Sequence, residues 1–293
     1  MKPSFDFDEK VLDNADKFQD EFYKRFKLRH APQPLQLNDK IAKNYLFPTF
    51  YGDVTCAIAI FFCSYSKAEK IMLHPKIKPV NMTKGRSLVV FSCYEYKNVL
   101  GVAPYNEIAM TIPILVDPEV NIPILPMLMK GFPRFGYYVF SMPVTSLENQ
   151  IRGVKIWGLP KVVQEIDIHE DHGDCVTIAK DSAGEPYFEL YVPMQGKPIS
   201  FDVQGYLYSQ LEGRLLKNQT NFKATFHVTQ YPHLLWRRDL MPDRTYLKLG
   251  STPMAQVLKD LQIYAHPFQF RYTAHMRAAF DLPNLNYRPP IML

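Results

Sequence analysis

A lysine that directly follows a glycine–proline break is the first residue of this sequence whose type and position could do chemistry. Gly158 and Pro160 precede Lys161, and Lys161 opens a β-branched run that is typical of a strand. Proline restricts its own φ and biases the residue before it to extended geometry, so the break fixes the backbone where the strand begins. An amine held at a defined point on a stiff element can act as a nucleophile. Lys161 is therefore the candidate nucleophile.

The alternation of side chains leaves two interpretations of this lysine open. Lys161 shares one face of its predicted strand with Glu165 and Asp167, and that pattern alone favours an ordinary solvated lysine beside two acids. Glu107 lies on the small and polar face of another predicted strand, Glu107–Val116. In a closed barrel such a face can line the lumen instead of meeting bulk water.

The motifs of other enzyme classes are missing from the sequence. It contains no Gly-x-Gly-x-x-Gly, no phosphate-binding loop, no His-Glu-x-x-His and no Gly-x-Ser-x-Gly. The segment His169–His172 holds metal-type residues, but it adjoins Gly173 and Asp174, so a solvated hairpin tip is favoured over a metal site. The cysteines are interpreted as small core residues. We therefore predict neither a metal nor a cofactor.

Composition limits the partners and the compartment. The chain has 293 residues, 47% of them hydrophobic and 22% charged, which suits a protein with a sizeable core. A net charge of +5 is too mild to indicate nucleic-acid binding. Four cysteines without a Cys-x-x-Cys spacing predict reduced thiols and a cytoplasmic location. No signal peptide is visible, and the apolar runs are short or interrupted by proline, so no membrane partner is expected either.

The pattern predicts an N-terminal helical arm over residues 1–45 and a β domain over residues 46–293. Val11, Phe18 and Phe22 lie at helical spacing within an expected amphipathic helix from Asp8 to Leu28. Short helices are predicted over Ser66–Leu73 and Met254–Leu261. The predicted strands are Val54–Cys63, Arg86–Tyr96, Glu107–Val116, Gly136–Ser141, Lys161–Ile168, Asp174–Ala179, Tyr187–Val192, Phe222–Thr229 and Ile263–Tyr272. This order indicates a mainly β (α+β) fold, an antiparallel β-barrel with a few peripheral helices.

Two segments give a more specific indication. Gly158-Leu159-Pro160-Lys161 resembles the aromatic-Pro-Lys segment of the acetoacetate decarboxylase family, and Tyr105–Pro113 resembles that family's Tyr-x-Glu segment followed by an Ile-Pro strand. Phe91 lies at the spacing before Glu107 that the family shows, and the resemblance extends from about residue 54 to about residue 280. It implies a Schiff-base role for Lys161, a proton-transfer role for Glu107, a homo-oligomer and chemistry without a cofactor.

The chemistry that the family implies needs an uncharged amine. At an unperturbed pKa near 10.4, only about 1 lysine in 2,500 is uncharged at pH 7, and burial in an apolar cavity lowers that pKa. The resulting imine draws electrons from the β-carbon bond, so the resemblance implies decarboxylation of a β-keto acid. Aldol or dehydratase chemistry on a keto acid or ketone is the alternative within the superfamily. A barrel that binds a hydrophobic ligand without turnover, with Lys161 as a relic, is the alternative from another class.

This sequence departs from the family at three positions of the expected pocket. Val162 stands where the family has a second lysine, so desolvation must activate Lys161 unless Lys155 reaches it. Ser92 replaces a second glutamate, and the family's carboxylate-region arginine falls at Cys63. We therefore expect a larger or more neutral ketone than acetoacetate, in a pocket that includes Ser92 and Cys63. The expected apolar walls of that pocket are Phe62, Tyr94, Tyr138 and Trp157.

Overall fold

Seven long strands close into a barrel in the computed structural model, which describes residues 1–7, 14–129, 132, 134–238 and 240–284. Within these residues the strands are, in chain order, β1 (Arg29–His30), β2 (Leu35–Gln36), β3 (Ala42–Lys43), β4 (Leu46–Phe47), β5 (Thr49–Ser64), β6 (Ile77–Pro79), β7 (Arg86–Val99), β8 (Tyr105–Val116), β9 (Phe135–Val144), β10 (Lys161–Val163), β11 (Glu165–Asp171), β12 (Asp174–Lys180), β13 (Pro186–Pro193), β14 (Lys197–Leu211), β15 (Arg214–Gln230), β16 (Leu247–Leu249) and β17 (Pro267–Phe280).

The helices are short and lie outside the barrel wall. They are α1 (Glu21–Lys24), α2 (Tyr65–Lys70), α3 (Leu125–Leu128), α4 (Leu147–Trp157) and α5 (Pro253–Asp260). The predicted positions of α2 and α5 are confirmed, and Thr252 caps α5 by accepting a hydrogen bond from the Ala255 backbone N–H. None of the helices in the described ranges has both the length and the apolar character needed to cross a bilayer.

The barrel closes through a pairing between β8 and β9. The sheet order is β10-β9-β14-β15-β17-β5-β7-β8-β6, so the added β9–β8 pairing joins β9, β14, β15, β17, β5, β7 and β8 into a ring. The pairings of β9 with β10 and β14 are parallel, and the others in the ring are antiparallel. Every residue of β8 is buried, because one face meets the lumen and the other meets a packed layer outside. The expected mainly β barrel is confirmed.

A second sheet covers one side of the barrel. Its order is β11-β12-β13-β16, and its inner residues Ile166, Phe188 and Leu190 share a core with Phe91 and Ile108 of the barrel. The strands predicted in this part of the chain exist. The sequence analysis expected them in a single closed sheet, but they form this separate sheet instead. Alternation of apolar and polar residues along a strand indicates that one face is buried, but it does not indicate which sheet the strand joins.

The predicted strand Lys161–Ile168 is in fact two strands. It breaks at Gln164, whose backbone N–H donates to the Val144 carbonyl and whose side-chain oxygen accepts from the Tyr187 hydroxyl at 2.7 Å. The first part, β10, pairs with β9 of the barrel, and the second part, β11, pairs with β12 of the outer sheet. The chain therefore leaves the barrel three residues after Lys161.

The prediction of one long N-terminal helix is wrong in the described part of the chain, and residues 8–13 are not among the described residues. A 3-10 turn covers Ala15–Lys17, and a new helix starts when the Asp20 carboxylate accepts from the Phe22 backbone N–H at 2.9 Å. Phe18, Phe22 and Tyr23 nevertheless pack against Phe50 and Ala279 of the barrel, as an arm on the body would.

Candidate active site

Lys161 and Glu107 form a buried pair at one end of the barrel lumen. The Lys161 Nζ lies 2.5 Å from Glu107 Oε2, and the two residues are 7% and 5% exposed. The strand β9 brings them together, since Lys161 pairs with Met142 and Glu107 pairs with Val144. The interpretation of Lys161 as a solvated lysine is wrong.

The two acids that the strand pattern placed on the same face as Lys161, Glu165 and Asp167, do not lie beside it. Asp167 is exposed, and Glu165 bonds Lys180 on the outer sheet. Both belong to β11, and the break at Gln164 separates that strand from the strand of Lys161. Residues that the sequence pattern placed on one strand face therefore lie in two different environments, the lumen and the outer sheet.

Helix α4 supports the stem of the catalytic lysine candidate. A Cβ added at Gly153 would lie 2.3 Å from Lys161 Cδ, so glycine is needed there for the lysine to pass. The helix begins when the Ser146 hydroxyl accepts from the Asn149 backbone N–H, and it ends at Gly158, which has a φ of 59°. The Gly158–Pro160 break therefore ends a helix that the sequence analysis did not predict, and Lys161 starts the next strand as expected.

Burial is the main influence on the amine. It lowers the pKa of Lys161, the Glu107 carboxylate opposes that shift, and the positive charge of Arg152 adds to it. Arg152 is 1% exposed and is held by the Thr49 hydroxyl at 2.9 Å and by Asn149 Oδ1 at 3.2 Å. Its guanidinium lies over the Tyr45 ring, 4.4 Å from the centroid. A buried cation thus lies within electrostatic reach of the amine.

A second buried pair lies on the other side of Arg152. Lys43 Nζ and the Tyr45 hydroxyl both donate to Glu148 Oε1, at 3.0 and 2.5 Å. Lys43 and Glu148 are 1% and 2% exposed. Because Lys43 comes from β3, the N-terminal segment contributes to the charge balance behind the site.

Protonated phenols surround the glutamate. The Tyr96 hydroxyl donates to Glu107 Oε1 at 3.3 Å, and the Tyr96 ring stacks on Tyr94 with centroids 5.2 Å apart. Burial raises the pKa of Tyr94, Tyr96 and Tyr105 well above 10 and that of Tyr51 to about 12. These side chains therefore remain hydrogen-bond donors at neutral pH.

The pair opens on a cavity of about 180 Å³ inside the barrel. Its walls include the predicted pocket residues Ser92, Tyr94 and Trp157. An engineered protein cavity of about 150 Å³ takes up benzene, so this space suits a small organic molecule. The lumen walls combine aliphatic, aromatic and hydroxyl side chains, among them Ile58, Thr111, Phe222 and Phe226.

The other predicted pocket residues lie outside the cavity lining. Cys63 and Tyr138 point into the core between the barrel and the outer sheet, because neighbouring residues of a strand face opposite ways and Tyr137 takes the lumen position. Phe62 lies beyond the cavity under the Arg86 guanidinium, 3.9 Å from its ring centroid. Lys155 is on the surface and donates to the Gln36 carbonyl at 2.9 Å, so it does not reach Lys161.

The family model of acetoacetate decarboxylase (ADC) matches residues 32–236, which is more than half of the chain. The chain belongs to the acetoacetate decarboxylase family. No curated protein sequence matches it.

Structures with the same fold include acetoacetate decarboxylases. The enzyme from Legionella pneumophila has a TM-score of 0.55 at 14% identity, with 86% of this chain and 91% of that chain covered. Another acetoacetate decarboxylase has a TM-score of 0.52 at 14% identity, covering 80% and 87%. MppR, an enduracididine biosynthesis enzyme complexed with pyruvate, has a TM-score of 0.53 at 11% identity, covering 80% and 88%. At such identities the likeness shows the fold alone.

Two arginines lie close to the Lys161–Glu107 pair or line the cavity, and sequence reasoning missed both. At the position of the second lysine, Val162 is 39% exposed, while Arg152 supplies the nearby positive charge from α4. The position expected for the family's arginine holds the core residue Cys63, yet Arg271 of β17 reaches the cavity. Helical spacing places Glu148, Asn149 and Arg152 on one face of α4, so a correct prediction of that helix was the signal that could have found Arg152.

Proposed function

We propose that this protein is a Schiff-base-forming lyase in which the Lys161 amine condenses with the ketone of a keto acid. The observation that supports this most is the buried Lys161–Glu107 pair, with 2.5 Å between Nζ and Oε2, at the wall of the lumen cavity. A surface lysine has no such means of losing its proton at neutral pH.

The first steps use both members of the pair. Transfer of one proton from Lys161 Nζ to Glu107 leaves an uncharged amine and an uncharged carboxylic acid, a change that burial favours. The amine adds to the carbonyl carbon, and a proton moves from nitrogen to oxygen to give a carbinolamine. Glu107 then donates its proton to the hydroxyl, which leaves as water, and the iminium ion forms.

Decarboxylation follows from the charge of the iminium. The electron pair of the bond to the carboxylate moves toward the iminium nitrogen, carbon dioxide leaves and an enamine remains. A proton from the adjacent Tyr96 hydroxyl, or from Glu107 after solvent has reprotonated it, then adds to carbon and regenerates an iminium ion. Water hydrolyses this iminium, which releases the ketone product and the Lys161 amine.

Aldol or dehydratase chemistry is the second candidate. MppR, which shares the fold, is known complexed with the condensation product of pyruvate and imidazole 4-carboxaldehyde. The cavity of about 180 Å³ and the phenols beside Glu107 would also suit condensation of an enamine with a second carbonyl compound. The two reactions share the Lys161 imine and differ in whether carbon dioxide is released.

Borohydride reduction tests the shared intermediate. Wild-type protein incubated with 3-oxo acids or ketones and then reduced should carry a secondary-amine adduct on Lys161, found by peptide mass spectrometry. Lys161→Met should carry none, and Lys155→Ala, which alters a surface lysine of the adjacent helix, should match wild type. No adduct with any ketone would overturn the proposal and favour a binding barrel. Release of carbon dioxide would then separate decarboxylation from condensation.

A further inference from the structure

Arg271 brings a positive charge into the cavity from the wall opposite the Lys161–Glu107 pair. In the ring of seven strands, β17 is separated from β8 by β5 and β7 on one side and by β9, β14 and β15 on the other. Seven strands spaced by about 4.8 Å and tilted by about 40° enclose a barrel of about 14 Å between facing backbones. Arg271 on β17 and Glu107 on β8 therefore approach the lumen from opposite sides.

The strand register also places Arg271 in a different row of the barrel wall from Glu107. Arg271 pairs with Ile58, Ile58 pairs with Ser92, and Ser92 pairs with Ala109. Ala109 is two residues beyond Glu107 on the same strand, so the row of Arg271 lies about 7 Å farther along β8 than the row of Glu107. Ser92 and Ile58 belong to the row of Arg271 and line the cavity with it.

Within the described part of the chain, no carboxylate neutralises Arg271. Its Nε donates to Gln269 Oε1 at 2.7 Å, and its guanidinium lies 5.1 Å from the centroid of the Phe201 ring. No ion pair joins it to an acid of the described residues, and Tyr137 and Cys56 are the titratable neighbours that influence it. Burial lowers its pKa, which shows that its charge is held at a desolvation cost. The two terminal nitrogens of a guanidinium in such a place match the geometry of a carboxylate.

We infer that Arg271 binds a substrate carboxylate that is several bonds away from the ketone that condenses with Lys161. The inference rests on the proposed Schiff-base function, because Lys161 fixes the other end of the substrate. It replaces the neutral ketone expected from sequence with an oxo acid that spans the lumen. Under decarboxylation the substrate is then a 3-oxo dicarboxylate, which loses one carboxylate as carbon dioxide and keeps the other on Arg271.

A binding experiment without any ketone tests Arg271 by itself. Hexanoate and hexanamide have the same chain length and differ in charge, and their affinities are measured by ligand-observed NMR titration. Wild type should prefer hexanoate by about tenfold or more, the effect of a charge-assisted hydrogen bond of at least about 1.5 kcal/mol. Arg271→Gln should reduce the ratio to about twofold or less. Equal affinities in wild type, or a preference that survives in Arg271→Gln, would overturn the inference.

Two further variants control the folding and the charge. Arg271→Lys keeps a cation and should retain part of the preference even if the neutral variant is unstable. Arg277→Gln removes an arginine from the same strand whose Nε bonds Asp20 at 2.9 Å outside the cavity, and it should leave the ratio of wild type unchanged. A preference lost equally in Arg277→Gln would show that the effect is not local to the cavity and would contradict the assignment.

A second measurement separates this inference from the proposed function. The concentration dependence of borohydride trapping on Lys161 is compared for 5-oxohexanoate and its methyl ester. Trapping at concentrations at least about tenfold lower for the acid in wild type, lost in Arg271→Gln, supports both ideas. Trapping without preference for the acid would contradict the carboxylate-binding role of Arg271 and would still support the Schiff base. A preference for hexanoate without any trapping would contradict the Schiff-base proposal and would still support the carboxylate site at Arg271.

Discussion

Two buried lysine–glutamate pairs lie in the same molecule and have different surroundings. Lys43 and Glu148 are 3.0 Å apart, Glu148 also accepts from the Tyr45 hydroxyl, and neither Lys43 nor Glu148 lines the lumen cavity. Lys161 and Glu107 are 2.5 Å apart and open on the lumen cavity. Burial alone therefore does not mark a reactive amine. What distinguishes the second pair is its position at the wall of the barrel lumen, where a substrate can take the place of the partner.

The largest expected effect follows from removing the acid of the lumen pair. In Glu107→Gln the lysine loses the carboxylate that opposes the lowering of its pKa, but no group of the pair can supply the proton for loss of water. Turnover should fall by about 10²–10⁴-fold, the usual contribution of general acid–base catalysis. Initial rates with the best substrate measure this, and a loss below about fivefold would assign the proton transfer to Tyr96 instead.

The Lys43–Glu148 pair, which lies outside the lumen cavity, should affect stability instead of chemistry. Lys43→Met leaves the Glu148 carboxylate buried without its lysine, so the free energy of unfolding should fall by about 3–5 kcal/mol. Urea denaturation measures the change. Lys43→Met protein that remains folded at low temperature should still form the borohydride adduct on Lys161. Loss of this adduct in folded Lys43→Met protein would mean that the Lys43–Glu148 pair also influences the reactivity of Lys161.

Helix α4 can be used to displace the lumen amine without changing its chemistry. In Gly153→Ala the new methyl group meets the Lys161 stem, which must move. Turnover should fall by about 100-fold, as for a misplacement of about 1 Å. Val154→Ala changes the next residue of the same helix, which is 40% exposed, and should keep nearly full turnover. Equal losses in both variants would point to the helix as a whole.

The smallest effect concerns the pH dependence. Arg152 lowers the pKa of Lys161, so Arg152→Gln should raise that pKa and move the rise of borohydride labelling to higher pH. A rise of one unit reduces labelling at pH 7 by about tenfold. Arg152→Lys keeps the charge and should follow the wild-type profile closely. An unchanged profile for the glutamine variant would leave burial and the Glu107 carboxylate as the influences on the amine.

Local patterns predicted six of the seven barrel strands at least in part, and the family resemblance predicted the lumen pair. Neither predicted what depends on tertiary contacts. The alternating strands, the Gly-Leu-Pro-Lys segment and the glutamate strand were visible because each is a short run of neighbours. Helix α4 was missed because glycine and β-branched residues interrupt it, including Gly153 and Ile151. Strand β14 was missed because most of its residues are exposed or half-buried.

The two arginines show a different limit. Arginine is rarely buried, so a pattern of apolar and polar residues places it on the surface by default. Arg152 lies inside because Thr49, Asn149 and the Tyr45 ring bind it, and Arg271 lies inside because the lumen accepts it. Thr49 and Tyr45 are distant in sequence from Arg152, and only Asn149, one helical turn away on α4, is a local partner.

The position of Trp157 gives the protein its own optical probe. The chain has two tryptophans: Trp157 lines the cavity and is 2% exposed, and Trp236 is 65% exposed on the surface. Iodide in solution can quench the fluorescence of the second and not of the first. The emission that survives quenching therefore comes from the cavity wall, and its change on adding a compound reports entry into the lumen. Libraries of oxo acids can be screened in this way before any product is known.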